Sequence, residues 1–258
     1  YRIHRLDSMG NSIWSYTYEV DDLLDRDYGY SNARGRNDGS TFMSLGLLWS
    51  PTLILLDPSG TPQWAKSYYT IDPDEPEPKS PSFDFCITQD GGAILTEKAI
   101  FEMMLTKVDS MGEIDWSKRY SNGDYTHPKA TIQLSDGSFL VAGYRNELDH
   151  VPFAAHVTSQ GNIEWFKTYE DLALHDGFQR IHELADGDIF LSGRESITTS
   201  TSQDLGILIG ENGSVKKRVQ ASNDLPNVDL AVIGGKDDKL FIAGQLWTPY
   251  ENGGQAHL

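Results

Sequence analysis

Hydrophobic and polar positions alternate along this chain in short runs, and turn residues separate the runs. Residues 129–169 show one complete unit: KATIQLS alternates, FLVAGYR is almost wholly apolar, and FAAHVTS and IEWFKTY follow. Alternation over a few residues is typical of a half-buried β-strand. Asp136-Gly137 lies between the first two runs, where an Asp-Gly pair supplies the positive φ angles of a hairpin turn. The unit therefore predicts four short antiparallel strands.

The unit recurs with a period of about 50 residues. A motif of the form D-x-x-G-x-x-x-W, with departures in the last two copies, lies at the turn before the last strand of each unit. Its glycines are Gly10, Gly60, Gly112, Gly161 and Gly213, and the last copy has Lys217 in place of the tryptophan. Asp-Gly turns at Asp38, Asp90, Asp136 and Asp186 alternate with this motif, and residues 236–239 are a degenerate copy. Four strands per repeat with a periodic glycine and aromatic signature predict the blades of a β-propeller.

The motif tryptophans are predicted to pack between blades. Both faces of a blade are buried against its neighbours, so each interface needs a bulky apolar side chain, and an indole N–H also finds a backbone partner. W-x-K-x-Y follows the turn in three copies, and a period of two places the three side chains on one face of the strand. We expect this role for Trp14, Trp64, Trp116 and Trp165.

The two ends of the chain complement each other. Residues 1–18 supply a third and fourth strand without a first and second, whereas residues 228–258 supply a first and second strand only. We therefore predict one all-β domain, 1–258, with five four-stranded antiparallel blades, closed where the N-terminal strands pair with the C-terminal ones. The predicted blades are 31–69, 82–120, 129–169, 178–220 and 228–258 with 1–18. The alternative is a piece of a ring of six to eight blades.

Composition and charge narrow the function. The chain has 258 residues, a formal net charge of −17 and a single cysteine, Cys86. The negative charge argues against nucleic acid as a partner, because phosphate binding needs a basic face. One cysteine excludes an intrachain disulfide, and we expect a buried, unreactive thiol. No apolar stretch is long enough to predict a membrane span. The absence of an initial Met and of a signal pattern suggests a processed protein or a fragment.

The D-x-x-G-x-x-x-W element resembles the tryptophan-docking motif of PQQ-type propellers. Together with the Asp-Gly turns and W-x-K-x-Y, it is more similar to the propeller repeats of bacterial secreted and cell-surface proteins, which are common in Bacteroidetes. The resemblance covers nearly the whole chain and implies an extracellular or cell-surface location, although fold does not fix activity. No quinone-site residue is carried over, because PQQ enzymes normally have eight blades and often a vicinal disulfide.

Function is expected on one face of the ring, where long polar loops join strand four to the next strand one and strand two to strand three. The opposite face has only short turns, and binding residues concentrate on loops. The long loops are acidic, as in 19–30 and 70–82, and aromatic. The ligand-binding candidates are Trp49, Tyr125, His127, His150, His175, Trp247 and Tyr250.

Arg34, Arg36 and Asp84 complete the candidates, on predicted inner strands. The strand around Arg34, SNARGRN, is polar where its equivalents are apolar. Its two arginines could bind an anion in the channel, or form a structural ion pair with Asp84 or loop carboxylates.

Three functions stay open. The first is a non-catalytic binding or scaffolding module that engages a protein or carbohydrate at the cell surface. The second is a glycan-active hydrolase, which needs converging carboxylates such as Asp84, Glu183 and Asp229. The third is a structural subunit of a larger extracellular assembly. We favour the first. No cofactor is expected; carboxylates also suit calcium, but the chain lacks a spaced D-x-D-x-D-G loop.

Overall fold

A computed structural model describes residues 2–17, 32–47, 50–68, 83–99, 102–121, 125–146, 149–172, 174–196, 202–220, 228–233 and 241–246. Every regular element within these ranges is a β-strand. They contain no helix, and hence none that is long and apolar enough to cross a membrane.

Four blades are complete, each a sheet of four antiparallel strands that pair in chain order. Blade 1 contains β3 (Asn32–Gly35), β4 (Thr41–Leu47), β5 (Ser50–Leu56) and β6 (Pro62–Ser67). Blade 2 contains β7 (Phe83–Ile87), β8 (Ala93–Ala99), β9 (Glu102–Val108) and β10 (Ile114–Tyr120). Blade 3 contains β11 (Thr126–Gln133), β12 (Phe139–Arg145), β13 (Val151–Val157) and β14 (Ile163–Thr168). Blade 4 contains β15 (Leu174–Glu183), β16 (Ile189–Ser196), β17 (Ser202–Ile209) and β18 (Val215–Gln220).

The fifth blade is divided between the two ends of the chain. β1 (Arg2–Leu6) pairs with β2 (Ser12–Thr17), and β19 (Val228–Ile233) pairs with β20 (Phe241–Leu246). The predicted all-β, five-bladed propeller is confirmed. The two halves form separate two-stranded sheets in the described residues, so the β20–β1 ladder itself stays a prediction.

The two turn motifs share one geometry. In each, the glycine N–H donates to a carbonyl three residues earlier, as from Gly39 to Arg36 (3.0 Å) and from Gly60 to Asp57 (2.9 Å). The expectation that both Asp and Gly have positive φ is wrong, because only the glycine does. Asp38 instead accepts the backbone N–H of Ser40 at 2.9 Å, which favours a turn with ordinary φ at the aspartate.

The core lies between the blades as layers of buried side chains. Facing residues of blades 1 and 2 form one layer with Phe42, Leu53, Phe85 and Leu95. The next layer joins blades 2 and 3 through Ile94, Leu105, Phe139 and Phe153. The third joins blades 3 and 4 through Leu140, Phe178, Leu191 and Ile207. Each large apolar side chain buried in this way contributes about 1.5–3 kcal/mol.

In blades 1, 2 and 3 the outer strand carries W-x-K-x-Y, and this segment contacts the turn of the next blade that ends in the motif glycine. The Trp116 indole donates to Ser159 O (3.1 Å), the Lys118 ammonium to Gln160 O (2.8 Å), and the Tyr120 hydroxyl to Gly161 O (2.9 Å). Three successive side chains on one strand face therefore bind three successive carbonyls. The turn must end in glycine, because φ at Gly161 is 77° and a Cβ there would lie 3.0 Å from the indole.

The predicted packing of the motif tryptophans is confirmed. Trp14 donates to Pro58 O and Trp165 to Glu211 O, both at 2.9 Å, and each acceptor lies in the turn of the following blade. Trp64 occupies the same place, but its indole N–H is buried without a hydrogen-bond partner. The interblade contact is therefore repeated from blade to blade, with one donor unmatched.

Candidate functional site

The inner strands hold neighbouring blades together through carboxylates. Asp84 on β7 accepts the Arg34 guanidinium of blade 1 at 3.0 Å and the backbone N–H of Thr131 in blade 3, also at 3.0 Å. The predicted structural ion pair between Arg34 and Asp84 is confirmed. Asp84 therefore joins three blades, and both of its oxygens are engaged.

Glu183, a second carboxylate nominated for catalysis, has a similar role between blades 3 and 4. One of its oxygens accepts the backbone N–H of Ser135 (2.8 Å) and the other accepts the Ser135 hydroxyl (2.7 Å). Arg36 lies in the short turn after β3, where it is 3.5 Å from Asp38 and stacks 5.5 Å above the ring of Phe42. These side chains stabilise the scaffold.

A different set of residues converges on the long-loop face of blade 3. The sequence predicts that the first strand of this blade begins at Lys129, but β11 begins at Thr126, so the predicted boundary is wrong. The strand tolerates Pro128 because its register shifts between Pro128 and Ala130, where no ladder N–H is required. This bulge places His127 directly opposite Tyr144 of β12.

The rings of Tyr125, His127, Tyr144 and His150, here called the aromatic cluster, contact one another. His127 Nδ1 lies 2.6 Å from the Tyr144 hydroxyl. The Tyr144 ring stacks on His150 with centroids 4.3 Å apart and faces Tyr125 at 6.2 Å. Three sequence-predicted candidates are therefore brought together around Tyr144.

The loop that delivers His150 has an unusual backbone. Asn146 and His150 have positive φ angles of 60° and 48°, the only non-glycine residues of the described ranges with this conformation. Two hydrogen bonds hold it: Asn146 N–H donates to Tyr125 O at 2.9 Å, and His150 N–H donates to Asn146 O at 3.0 Å. The carboxylate of Asp149 accepts the Asn146 amide at 3.0 Å. A left-handed histidine is disfavoured, so the loop sets the position of the His150 ring on Tyr144.

Two lysines flank the aromatic cluster. The Lys98 ammonium, from β8 of blade 2, lies 4.3 Å from the centroid of Tyr125. The Lys129 ammonium lies 5.6 Å from the centroid of Tyr144. Both distances are within the range of a cation–π interaction. The cluster therefore spans the boundary between blades 2 and 3 and has cations on two of its rings.

The His127 side chain is buried and lies near positive charges. Burial is the largest cause, and together with the positive charges of Lys129, Lys98 and His150 it lowers the pKa of His127 to about 3. The imidazole is consequently neutral at physiological pH, with one donor and one acceptor nitrogen. It serves as a hydrogen-bonding partner of Tyr144 and adds no charge to the cluster.

Within the described residues, no other predicted ligand-binding residue lies at the aromatic cluster. Trp49, Trp247 and Tyr250 lie outside the described residues, and of His175 only the backbone, in β15, is described. The acidic loops 19–30 and 70–82 also lie outside them. Tyr144, Lys98 and Lys129 were missed from the sequence. A signal existed for two of them, because Lys98 and Tyr144 occupy the same place at the end of strand two in consecutive repeats.

The fold defines the class: this chain is a β-propeller. No family model matches it, and no curated protein matches it significantly. The class rests on solved structures that share its fold at low sequence identity.

Three such structures are propellers of different roles. The Dos1 propeller has a TM-score of 0.60 and 10% identity over 95% of this chain and 62% of that one. Drosophila semaphorin 1a, extracellular domains 1-2, has a TM-score of 0.56 and 12% identity over 89% of this chain and 52% of that one. The endo-arabinase of Bacteroides thetaiotaomicron has a TM-score of 0.54 and 11% identity, covering 91% of this chain and 93% of that one. The chain thus spans less than two thirds of the first two. These likenesses show the fold alone, and membership of the PQQ-like repeat family stays a prediction.

Proposed function

We propose that this propeller is a non-catalytic, saccharide-binding module and that the aromatic cluster is its binding site. The location that fits this role, in line with the sequence resemblance, is the bacterial cell surface. A protein partner on the same face is the alternative within this proposal.

The observation that carries the proposal is the convergence of four rings from three chain segments. Tyr125 precedes β11, Tyr144 ends β12, and His150 comes from a loop with a disfavoured backbone conformation. Flat ring faces bind the C–H surfaces of sugars, and the phenol and imidazole groups hydrogen-bond to their hydroxyls. Tyr125 and His150 are half-buried, so part of each ring is accessible to a ligand.

The engagement of the inner-strand carboxylates supports a non-catalytic role. A glycosidase keeps one carboxyl group as an acid and leaves a second accessible to water or to the sugar. Asp84 and Glu183 instead each bind groups of neighbouring blades with both oxygens. The side chain of Asp229, the third nominee, lies outside the described residues.

The test is a glycan microarray followed by calorimetric titration of the best ligand. We expect Tyr125→Ala and His150→Ala to weaken binding about 5- to 13-fold, because each removes a ring face worth about 1–1.5 kcal/mol. His4→Ala is the matched control for His150→Ala, since His4 is exposed on β1 in the divided fifth blade. The proposal is wrong if the folded variants bind as the parent does, or if no glycan on the array binds. Hydrolysis of the bound glycan would instead support the enzymatic alternative.

A further inference from the structure

Lys98 differs from three lysines of the described residues that are paired with carboxylates. Lys66, Lys107 and Lys216 each form an ion pair, with Glu113, Asp90 and Asp188 respectively. Lys98 forms none within the described ranges, and its ammonium instead lies on the Tyr125 ring. Lys118 also has no carboxylate partner there, but it donates to Gln160 O and Asn162 Oδ1, whereas the contact of Lys98 is a ring face. Lys98 is therefore a half-buried cation without an oxygen acceptor among the described residues, in a chain with 38 acidic and 21 basic residues.

The position of Lys98 is set by the scaffold. Thr96, two residues earlier and on the same face of β8, hydrogen-bonds to Thr131 of β11. This bond fixes the end of β8 against blade 3, so that Lys98 projects beside Tyr125. The ammonium is thus held at the aromatic cluster by the backbone and by a ring face, neither of which neutralises its charge.

A second cation lies on another ring of the same cluster. The Lys129 ammonium of blade 3 lies over the Tyr144 ring, and the charges of both lysines lower the pKa of His127. Two blades therefore contribute one cation each to a site whose centre is buried: Tyr144 is 7% exposed and His127 8% exposed. In such surroundings solvent and salt screen a charge less than at an open surface.

We propose that the saccharide bound at the aromatic cluster is acidic, and that Lys98 pairs with its carboxylate or sulfate group while the rings contact the sugar. This inference rests on the proposed function and assigns its ligand class. A charge-assisted hydrogen bond from an ammonium is about twice as strong as a neutral one, so the acid group determines selectivity. Long nucleic acids do not fit, because the net charge of −17 repels an extended polyanion.

The test compares three ligands by calorimetry at two salt concentrations. Trigalacturonate carries carboxylates, its carboxyl-reduced form has the same linkage without charge, and a κ-carrageenan tetrasaccharide carries sulfate. We expect at least one of the charged ligands to bind, the reduced form to bind at least tenfold more weakly, and affinity for the charged ligand to fall as NaCl is raised. Comparison of the two charged ligands distinguishes a carboxylate from a sulfate.

The variants separate charge from packing. Lys98→Gln should weaken binding of the charged ligand about tenfold and leave the reduced form unchanged, whereas Lys98→Arg should retain selectivity. Lys217→Gln, exposed on the outer strand β18, is the control and should change nothing. Equal affinity for charged and reduced ligands, or equal losses for both in Lys98→Gln, overturns the inference while the proposed function survives. Failure of every saccharide to bind the folded protein overturns both.

Discussion

The unmatched indole of Trp64 allows a quantitative test of the interblade contact. Trp64 and Trp116 occupy the same place in consecutive blades, and both are half-buried. Trp116 donates to Ser159 O at 3.1 Å, whereas the Trp64 N–H is buried without a partner. Replacement by phenylalanine removes the same ring atoms and one N–H at both positions. The two variants therefore differ mainly in whether the removed N–H had a hydrogen-bond acceptor.

The expected energies follow from this difference. Loss of the smaller ring of the indole costs about 1 kcal/mol at either position. At Trp116 the lost hydrogen bond adds about 0.5–1.5 kcal/mol. At Trp64 the change removes a buried unsatisfied donor, whose desolvation costs about 1–3 kcal/mol. We therefore expect Trp116→Phe to destabilise the protein by about 2 kcal/mol and Trp64→Phe to be neutral or slightly stabilising.

Urea denaturation at 25 °C, followed by circular dichroism, measures the two free energies of unfolding without relying on tryptophan fluorescence. Trp165→Phe is the control, because its indole bonds to Glu211 O at 2.9 Å and should behave as Trp116 does. A loss for Trp64→Phe as large as that for Trp116→Phe would refute the reasoning and would show that ring packing alone holds the blades together.

Three further predictions concern buried polar groups. Burial raises the pKa of Glu97 to about 8, and Arg119 only partly opposes this. Between about pH 4.5 and 8 the folded carboxyl keeps a proton that the unfolded chain releases, so the free energy of unfolding should fall as the pH rises through this range. Urea titrations at several pH values should show this fall in the parent protein and not in Glu97→Gln. Asp84→Ala should lower the free energy of unfolding by about 2 kcal/mol, less than the loss of a fully buried ion pair because Arg34 is partly exposed. A double-mutant cycle with Arg34→Ala should give a coupling energy of about 1 kcal/mol. Strictly additive losses would contradict the role of Asp84 as a bridge between blades. Cys86, buried with its thiol pKa raised to about 12, should react with a thiol reagent only after unfolding, and rapid native labelling would contradict its burial.

The scaffold was predictable because its signals are local and repeated. A turn that needs glycine at a fixed place and an indole that needs a partner recur in each unit, so single departures do not hide the period. Even so, the shared turn geometry was not evident from the letters alone, because the aspartate occupies the first position in Asp57 and the third in Asp38. Different arrangements of aspartate and glycine thus form the same hydrogen-bonded turn, and this equivalence is not visible as a shared sequence pattern.

The site was predictable only in part, because it depends on contacts between blades. Tyr125, His127 and His150 were nominated from loop composition, but nothing local indicates that they meet. Their meeting point, Tyr144, belongs to an apolar strand and looks like a core residue. Lys98 reaches the cluster from another blade, and its proximity to Tyr125 follows from the bond between Thr96 and Thr131, a contact of high sequence separation.

The aromatic cluster lies beside a β-bulge that blade 3 shares with blade 4 but not with blade 2. Gly143 of β12 has no room for a side chain, since a Cβ there would lie 2.1 Å from His127 O. The same position in blade 2 is Glu97, which fits because β7 pairs with β8 without a register shift. The bulge of β11 thus requires a glycine on β12 and at the same time aligns His127 with Tyr144. Blade 4 has the same arrangement, because β15 shifts register beside Phe178, which pairs with Gly193, and a Cβ at Gly193 would lie 2.2 Å from Gly177 O. The bulge and its glycine are therefore part of the scaffold, and the rings of His127 and Tyr144 are what distinguish blade 3.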